Sequence, residues 1–418
     1  KQLTDELSLS ATGGASEMKS HFFDIGDYSY LWNGEQVITP APHPGEIGDA
    51  CDCTYLRNSE YAIVHLGWKL AEDHSLDFST SPTWHRQSSK NDYLTDDQID
   101  PVDADRNMFS LVSGVNYTFD FFDDKLQNKL FVKHYSQDRK SVQLNGLAGL
   151  EESLDSSIDR MGWGNVVRYK FYPWLFAKAS YEQATRLPSF DEVFGDSESI
   201  IANVELNEEY SNNYNLSLEI NELTNDYGSW KGGASYFIRD VEDAIILMTV
   251  NNVSQYQNVA STESTGFQVS GSWASPEDFL TIKANYTNFD LINTADEGLF
   301  AQFKNQQIPN SPHTFYNTMV GLKWMSVFAG YDELRLNWNY RFVDRYELLW
   351  EDYGLSQFNP YVPVQESHSL ATIYTKDIYS STVSVAAEIQ NLTDEKLYDH
   401  YGVQRPGRAF NLKTVIEF

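Results

Sequence analysis

Cysteine is nearly absent, with 2 residues in 418, too few for a disulfide framework. Basic residues are sparse as well: 30 Lys and Arg stand against 60 Asp and Glu, a formal charge of -30. So acidic a chain offers no cationic stripe for phosphates, which excludes nucleic acid as a partner. No apolar run reaches the roughly 20 residues of a membrane-spanning helix, so a helical membrane protein is excluded too. The opening "KQLTDELSLS" lacks the basic start and apolar core of a secretory leader. A cytosolic protein, a mature chain and a chain beginning partway through a longer one all fit it. His-Glu-x-x-His, Gly-x-Ser-x-Gly and phosphate-cradling glycine loops are missing, and Ser, His and Asp are scattered. No enzyme is expected.

Aromatic residues are plentiful, at 14% of the chain, and they fall in alternating segments. In "NMFSLVSGVNYTFDFFDDKLQNKLFVKHY", Phe109, Leu111, Val115, Tyr117, Phe119 and Phe121 share one face, with Ser110, Asn116, Thr118 and Asp120 on the other. "FDDK" turns the chain, and Leu126, Leu130 and Val132 resume the apolar side. At the end, Phe410, Leu412, Thr414, Ile416 and Phe418 alternate with Ala409, Asn411, Lys413, Val415 and Glu417.

Tight polar turns join such segments in pairs, while longer polar stretches separate the pairs. The stretches expected as long loops are residues 13–58, 89–106, 140–159, 189–209, 293–310, 349–361 and 392–407. Short turns at one end and long loops at the other are the habit of outer-membrane barrels. The pattern predicts an all-β fold, an antiparallel transmembrane β-barrel with about 16 strands, an even number as bacterial barrels have. Aromatic clusters such as "FDFF" and "YKFYPW" suit interfacial girdles. The apolar row ending on Phe418 would face lipid.

Three blocks carry a family resemblance. "NLTDEKLYDHYGVQRPGRAFNLKTVIEF" places Asn391, Leu392, Asp394, Tyr398, Pro406, Gly407, Arg408 and Phe418 as in the C-terminal end of TonB-dependent outer-membrane receptors. "RLPSFDEVFGDSESIIANVELNEEY" resembles that family's Arg-x-Pro box and following segment through Arg186, Pro188, Glu192, Gly195, Asn203, Leu206 and Glu209, with Val204 where the family usually has Pro. "YQNVASTESTGFQVSGSW" is a weaker third match.

The resemblance implies a 22-stranded barrel in the bacterial outer membrane, with residues 1–418 as its C-terminal part. A plug domain, the first strands and the segment gripped by the TonB energy coupler have no counterpart in this chain. Implied partners are outer-membrane lipid, the plug, the TonB coupler, the barrel-insertion machinery, which reads the terminal aromatic, and a small-molecule nutrient. The implied work is active import of a large scarce nutrient, a ferric siderophore by default, with no required cofactor. The rival is a passive pore or scaffold barrel without a plug.

Further candidates rest on side-chain chemistry. Asp96, Asp97, Asp100, Asp103 and Asp105 crowd one outer loop, where clustered carboxylates suit surface calcium or simple solvation. Cys51 and Cys53 are close enough for a local disulfide, favoured over a metal site that would add His43. His400, Tyr401, Arg405 and Arg408 form a candidate site for an anionic iron chelate, or else they shape the loop and the girdle. No His stands between Ser189 and Asn203, where haem receptors of the family often carry a ligand. Arg168, Lys170, Glu388, Lys413 and Glu417 are expected to face the lumen.

Overall fold

The structure, a computed structural model, describes residues 6–24, 28–30, 36–38, 51–94, 100, 103–145, 150–195, 200–250, 253–296, 300–328, 330–348, 361–399 and 403–417. Its main sheet has 17 strands, sixteen long ones and the two-residue segment Ile200–Ile201. In chain order the long strands are β1 (Leu7–Asp24), β2 (Cys51–Ala71), β3 (His74–Asn91), β4 (Ala104–Phe121), β5 (Leu126–Asn145), β6 (Leu150–Tyr172), β7 (Leu175–Arg186) and β8 (Glu209–Asn225). They continue as β9 (Gly228–Val250), β10 (Val253–Ala274), β11 (Leu280–Asn293), β12 (Thr314–Met325), β13 (Asp332–Val343), β14 (Gln365–Ile378), β15 (Ser381–Gln390) and β16 (Ala409–Glu417). Each pairs antiparallel with the next, as in an up-and-down barrel wall.

Strand register explains why this chain prefers a wall. Phe410 stands opposite Ile389, and the row continues through Leu370, Trp338, Val320, Ile282, Trp273 and Trp230. One slip of register would turn this whole row inward, so the apolar face fixes the pairing. The opposite face is polar, as a water-filled or plugged lumen requires. At the tight turns, residues with positive φ take the strain: Phe122, Asp123 and Asp124 in "FDDK", and Asp278 and Tyr379 further on. Asn and Asp tolerate that conformation best.

Two aromatic bands girdle the sheet, as interfacial belts would. Near the tight turns are the pairs Tyr172–Trp174, Trp230–Trp273, Phe279–Trp324 and Phe328–Tyr374. Toward the other end run Trp163–Tyr181–Tyr214, then Phe267–Tyr286–Tyr316 and Tyr340–His368. The eight-residue step from Tyr316 to Trp324 is roughly 26 Å along a strand, close to the lipid-facing band of such barrels.

Several strands run far beyond that band, which corrects the loop assignments. Residues 13–24 and 51–58 belong to β1 and β2, and residues 140–145 and 150–159 belong to β5 and β6. β6 and β9 reach 23 residues each, about twice the 9–11 needed to span a bilayer. Above the bilayer the outer face meets water and much of the buried inner face is polar, as at Gln87, Arg106, Gln137 and Arg139, so the sequence loses the apolar–polar alternation that betrays a strand.

Candidate functional site

The segment after β7 turns into the lumen and is gripped there. Ser189 caps a five-residue helix, α1 (Phe190–Phe194): its Oγ accepts from the Glu192 amide, and Glu192 Oε2 accepts from the Ser189 amide at 2.7 Å. This reciprocal capping box satisfies donors that a helix start leaves free. Gly195 ends the helix at φ 67, where a Cβ would lie 1.9 Å from the Ile200 carbonyl oxygen. Only glycine fits there.

The family-motif residues form the frame of this segment. Arg186 donates to both carboxylate oxygens of Glu209, at 2.6 and 2.7 Å, and to both of Glu192, at 3.0 and 2.9 Å. Burial disfavours its charge, but these hydrogen bonds outweigh burial and hold the guanidinium above its ordinary pKa. Pro188 and Leu206 are fully buried. The Asn203 side chain donates to the Tyr256 carbonyl at 2.9 Å, and its amide donates to the Val193 carbonyl at 2.7 Å. Val204, where the family usually has Pro, packs into a buried cluster with Met108, Phe190, Val193, Phe194, Leu206 and Ile245.

The wall supplies partners that sequence reasoning missed. From β5, Gln137 donates to the Pro188 carbonyl at 2.9 Å, and Arg139 donates to the carbonyls of Val204 and Leu206 at 3.3 and 2.5 Å. Burial lowers the Arg139 pKa to about 10, against the pull of Glu208. Arg57 of β2 lies 4.3 Å over the Phe190 ring and 2.7 Å from the Asp191 carboxylate. Arg160 of β6 pairs with Glu208. On the far side, Ile200–Ile201 adds to β10 in parallel opposite Ser254 and Gln255, and the Ile245 amide of β9 donates to Glu209. The segment therefore crosses from the β2–β6 wall to the β9–β10 hairpin. Most of its polar contacts go to the wall on either side, so it acts as a strut.

The C-terminal motif is also structural. Asn391, at φ 50, clasps Glu395 through both ends of its amide, at 2.8 and 3.0 Å. The Leu392 amide donates to the His368 carbonyl. Asp394 accepts from the Arg408 amide at 2.7 Å, and a Cβ at Gly407 would lie 2.6 Å from that carboxylate. The Tyr398 amide donates to Gln365 at 2.6 Å, and the Arg405 amide to the Leu397 carbonyl.

Several other sequence candidates cannot be placed together. His400, Tyr401, Asp96, Asp97, His43 and Phe418 lie outside the described residues. Asp100 accepts from the Asn91 amide at 2.7 Å, the Asp103 amide donates to the Asp100 carbonyl, and Asp105 is exposed opposite Ser88. Among the described residues no three His, Cys, Asp or Glu side chains are grouped to hold a metal. Cys53 is buried and disulfide-bonded. Arg168 lies 5.1 Å over the Phe176 ring, and Glu388 stands opposite Asn411. Lumenal ion pairs tie strands together, Lys133 of β5 to Glu182 of β7 across β6 at 2.6 Å and Lys178 of β7 to Glu219 of β8 at 2.9 Å.

Comparison with known proteins agrees with this architecture. The family described as TonB dependent receptor-like, beta-barrel, matches residues 54–392. The ferric preacinetobactin receptor BauA of Acinetobacter baumannii superposes with a TM-score of 0.66 at 14% identity, over 99% of this chain and 60% of its own. The siderophore receptor PiuA of the same organism gives 0.70 at 14%, over 99% and 62%. The copper transporter OprC gives 0.69 at 13%, over 99% and 63%. This chain thus spans about three fifths of the length of these receptors. No curated sequence matches it.

Proposed function

This chain belongs to the TonB-dependent receptor β-barrel family, and from that premise we propose that it is part of an outer-membrane importer of a large scarce nutrient, a ferric siderophore in the first instance. The observation that carries the reading is the family match over residues 54–392, with ferric-siderophore receptors among the structures of the same fold. In this reading residues 1–418 form the C-terminal part of a larger barrel in the bacterial outer membrane. A plug domain fills its lumen, and the TonB coupler supplies energy from the inner membrane.

The wall's chemistry suits the role. Lipid meets the apolar row ending at Phe410, the lumen stays polar, and the described residues between β7 and β8 are held against the wall beside the passage. The protein's work is binding and gated passage, with no covalent step. Deleting the gene under iron limitation, and supplying iron as individual chelates, tests the reading. Loss of growth on at least one chelate, restored by the intact gene and absent in a strain without TonB, is the expected result. Unchanged growth and iron uptake on every chelate would overturn it.

A further inference from the structure

Across β11–β14 the lumenal side chains cup a cavity of about 410 Å³, lined by Lys283, Asn285, Asn317, Asn339, Arg341 and Ser367 among others. Register makes it a built row: Asn285 stands opposite Asn317, Asn317 opposite Arg341, and Arg341 opposite Ser367. Asn317 donates to Asn285 at 2.9 Å, fixing the two amides. No Asp or Glu lines the cavity.

Its charges contrast with paired lumenal cations elsewhere on the wall. Lower on the same strands, Lys323 pairs with Asp278 at 2.7 Å and Arg335 with Glu333. Across the lumen, Lys133 and Lys178 each hold a Glu. Among the described residues, Lys283 and Arg341 make no salt bridge. In a chain of charge -30, an anion meets a net repelling field from the protein as a whole. Two uncompensated cations set among amide and hydroxyl groups reverse that field locally. A guanidinium takes a carboxylate in bidentate fashion and an ammonium acts as a point charge, so together they suit a ligand with several carboxylates.

We propose that this groove is a binding site for a polycarboxylate, free or wrapped around a metal ion, on the route through the lumen. The inference rests on the uptake reading above. Titrate the full-length receptor in detergent with citrate and with ferric citrate, following binding by calorimetry. Lys283→Ala and Arg341→Ala should each weaken binding roughly tenfold, the scale of a lost charged hydrogen bond. Arg341→Lys should recover part of it, and Lys178→Ala should leave it unchanged. No binding by the wild type, or equal binding by the Lys283 and Arg341 variants, overturns the proposal. Protection of Lys283 from a water-soluble acylating reagent in the ligand-free receptor also overturns it, and assigns the groove to a protein segment seated there. If the gene is needed for growth on chelated iron yet the double variant grows normally, the uptake reading stands and this site falls. If the gene is not needed, the uptake reading itself falls.

Discussion

The strands from β1 to β10 and those from β11 to β16 obey the same alternation but differ in height. Apart from β7, with 12 residues, the first group runs 17–23 residues, whereas the second runs only 9–14. A bilayer requires only about ten of those rows. The surplus rows of the tall half hold the segment 187–208: Arg57, Met108, Gln137, Arg139 and Ile245 all reach it from inner positions. In the short half the connection between β11 and β12 folds as well, burying Ala295, Phe300, Phe303 and Ile308 against Leu291 and against Ile246 and Met248 of β9, and among the described residues the lumenal groove holds Lys283 and Arg341 without a salt bridge. Height above the membrane in the tall half is therefore spent on holding its internal segment.

The sharpest way to break that comparison is Phe194→Ala. Phe194 is fully buried in the insert, and truncating such a ring costs about 3–5 kcal/mol. Hydrogen exchange at the amides of Val193, Gly195 and Asn203 should accelerate strongly while β12–β15 stay protected. Equal acceleration in both halves would show that they do not behave separately. Next comes Arg139→Met, which strips the Val204 and Leu206 carbonyls of a buried donor, at a cost of roughly 2–3 kcal/mol. The same amides report it, and no change there would mean that the strut stands without its wall contact.

Smaller effects sharpen the picture. Lys178→Ala removes a half-exposed lumenal pair with Glu219 and should cost about 1 kcal/mol or less. A shift of many degrees in the melting temperature would contradict this. Smallest is Asp243, on β9 above the upper aromatic band. Burial, then Glu208 and Glu242, raise its carboxyl pKa, with Arg160 opposing. A carboxyl whose folded-state pKa is raised takes up its proton more readily in the folded chain, so the fold gains stability as pH falls through that value. Asp243→Asn should therefore melt slightly higher at neutral pH, with the advantage fading toward the ordinary value of 3.8. An advantage that is constant with pH would rule out this origin. Asn also tolerates the φ of 54 found there.

How far the sequence could be read depended on what surrounds each residue. Lipid on one side and a polar lumen on the other write alternation into the chain, so the wall, its strand number and the outward row of Phe410 and Leu412 were legible. Above the bilayer that contrast vanishes, and "LEESLDSSIDR" looked like a loop while being the upper half of β6. The box residues Arg186, Glu192 and Glu209 were recognisable as a motif, but their mutual hydrogen bonds were not. Gln137 and Arg139 were silent, because their partners lie 51 and 67 residues away and any polar residue satisfies a lumenal position.

The crossing segment has a mechanical consequence. It ties β2–β6 to the β9–β10 hairpin by ion pairs, a shared apolar cluster and an added strand. A tie of this kind sets the chord between two stretches of a curved sheet and resists their separation. Any widening of the lumen for a bulky load would then fall on strands that this segment does not bridge.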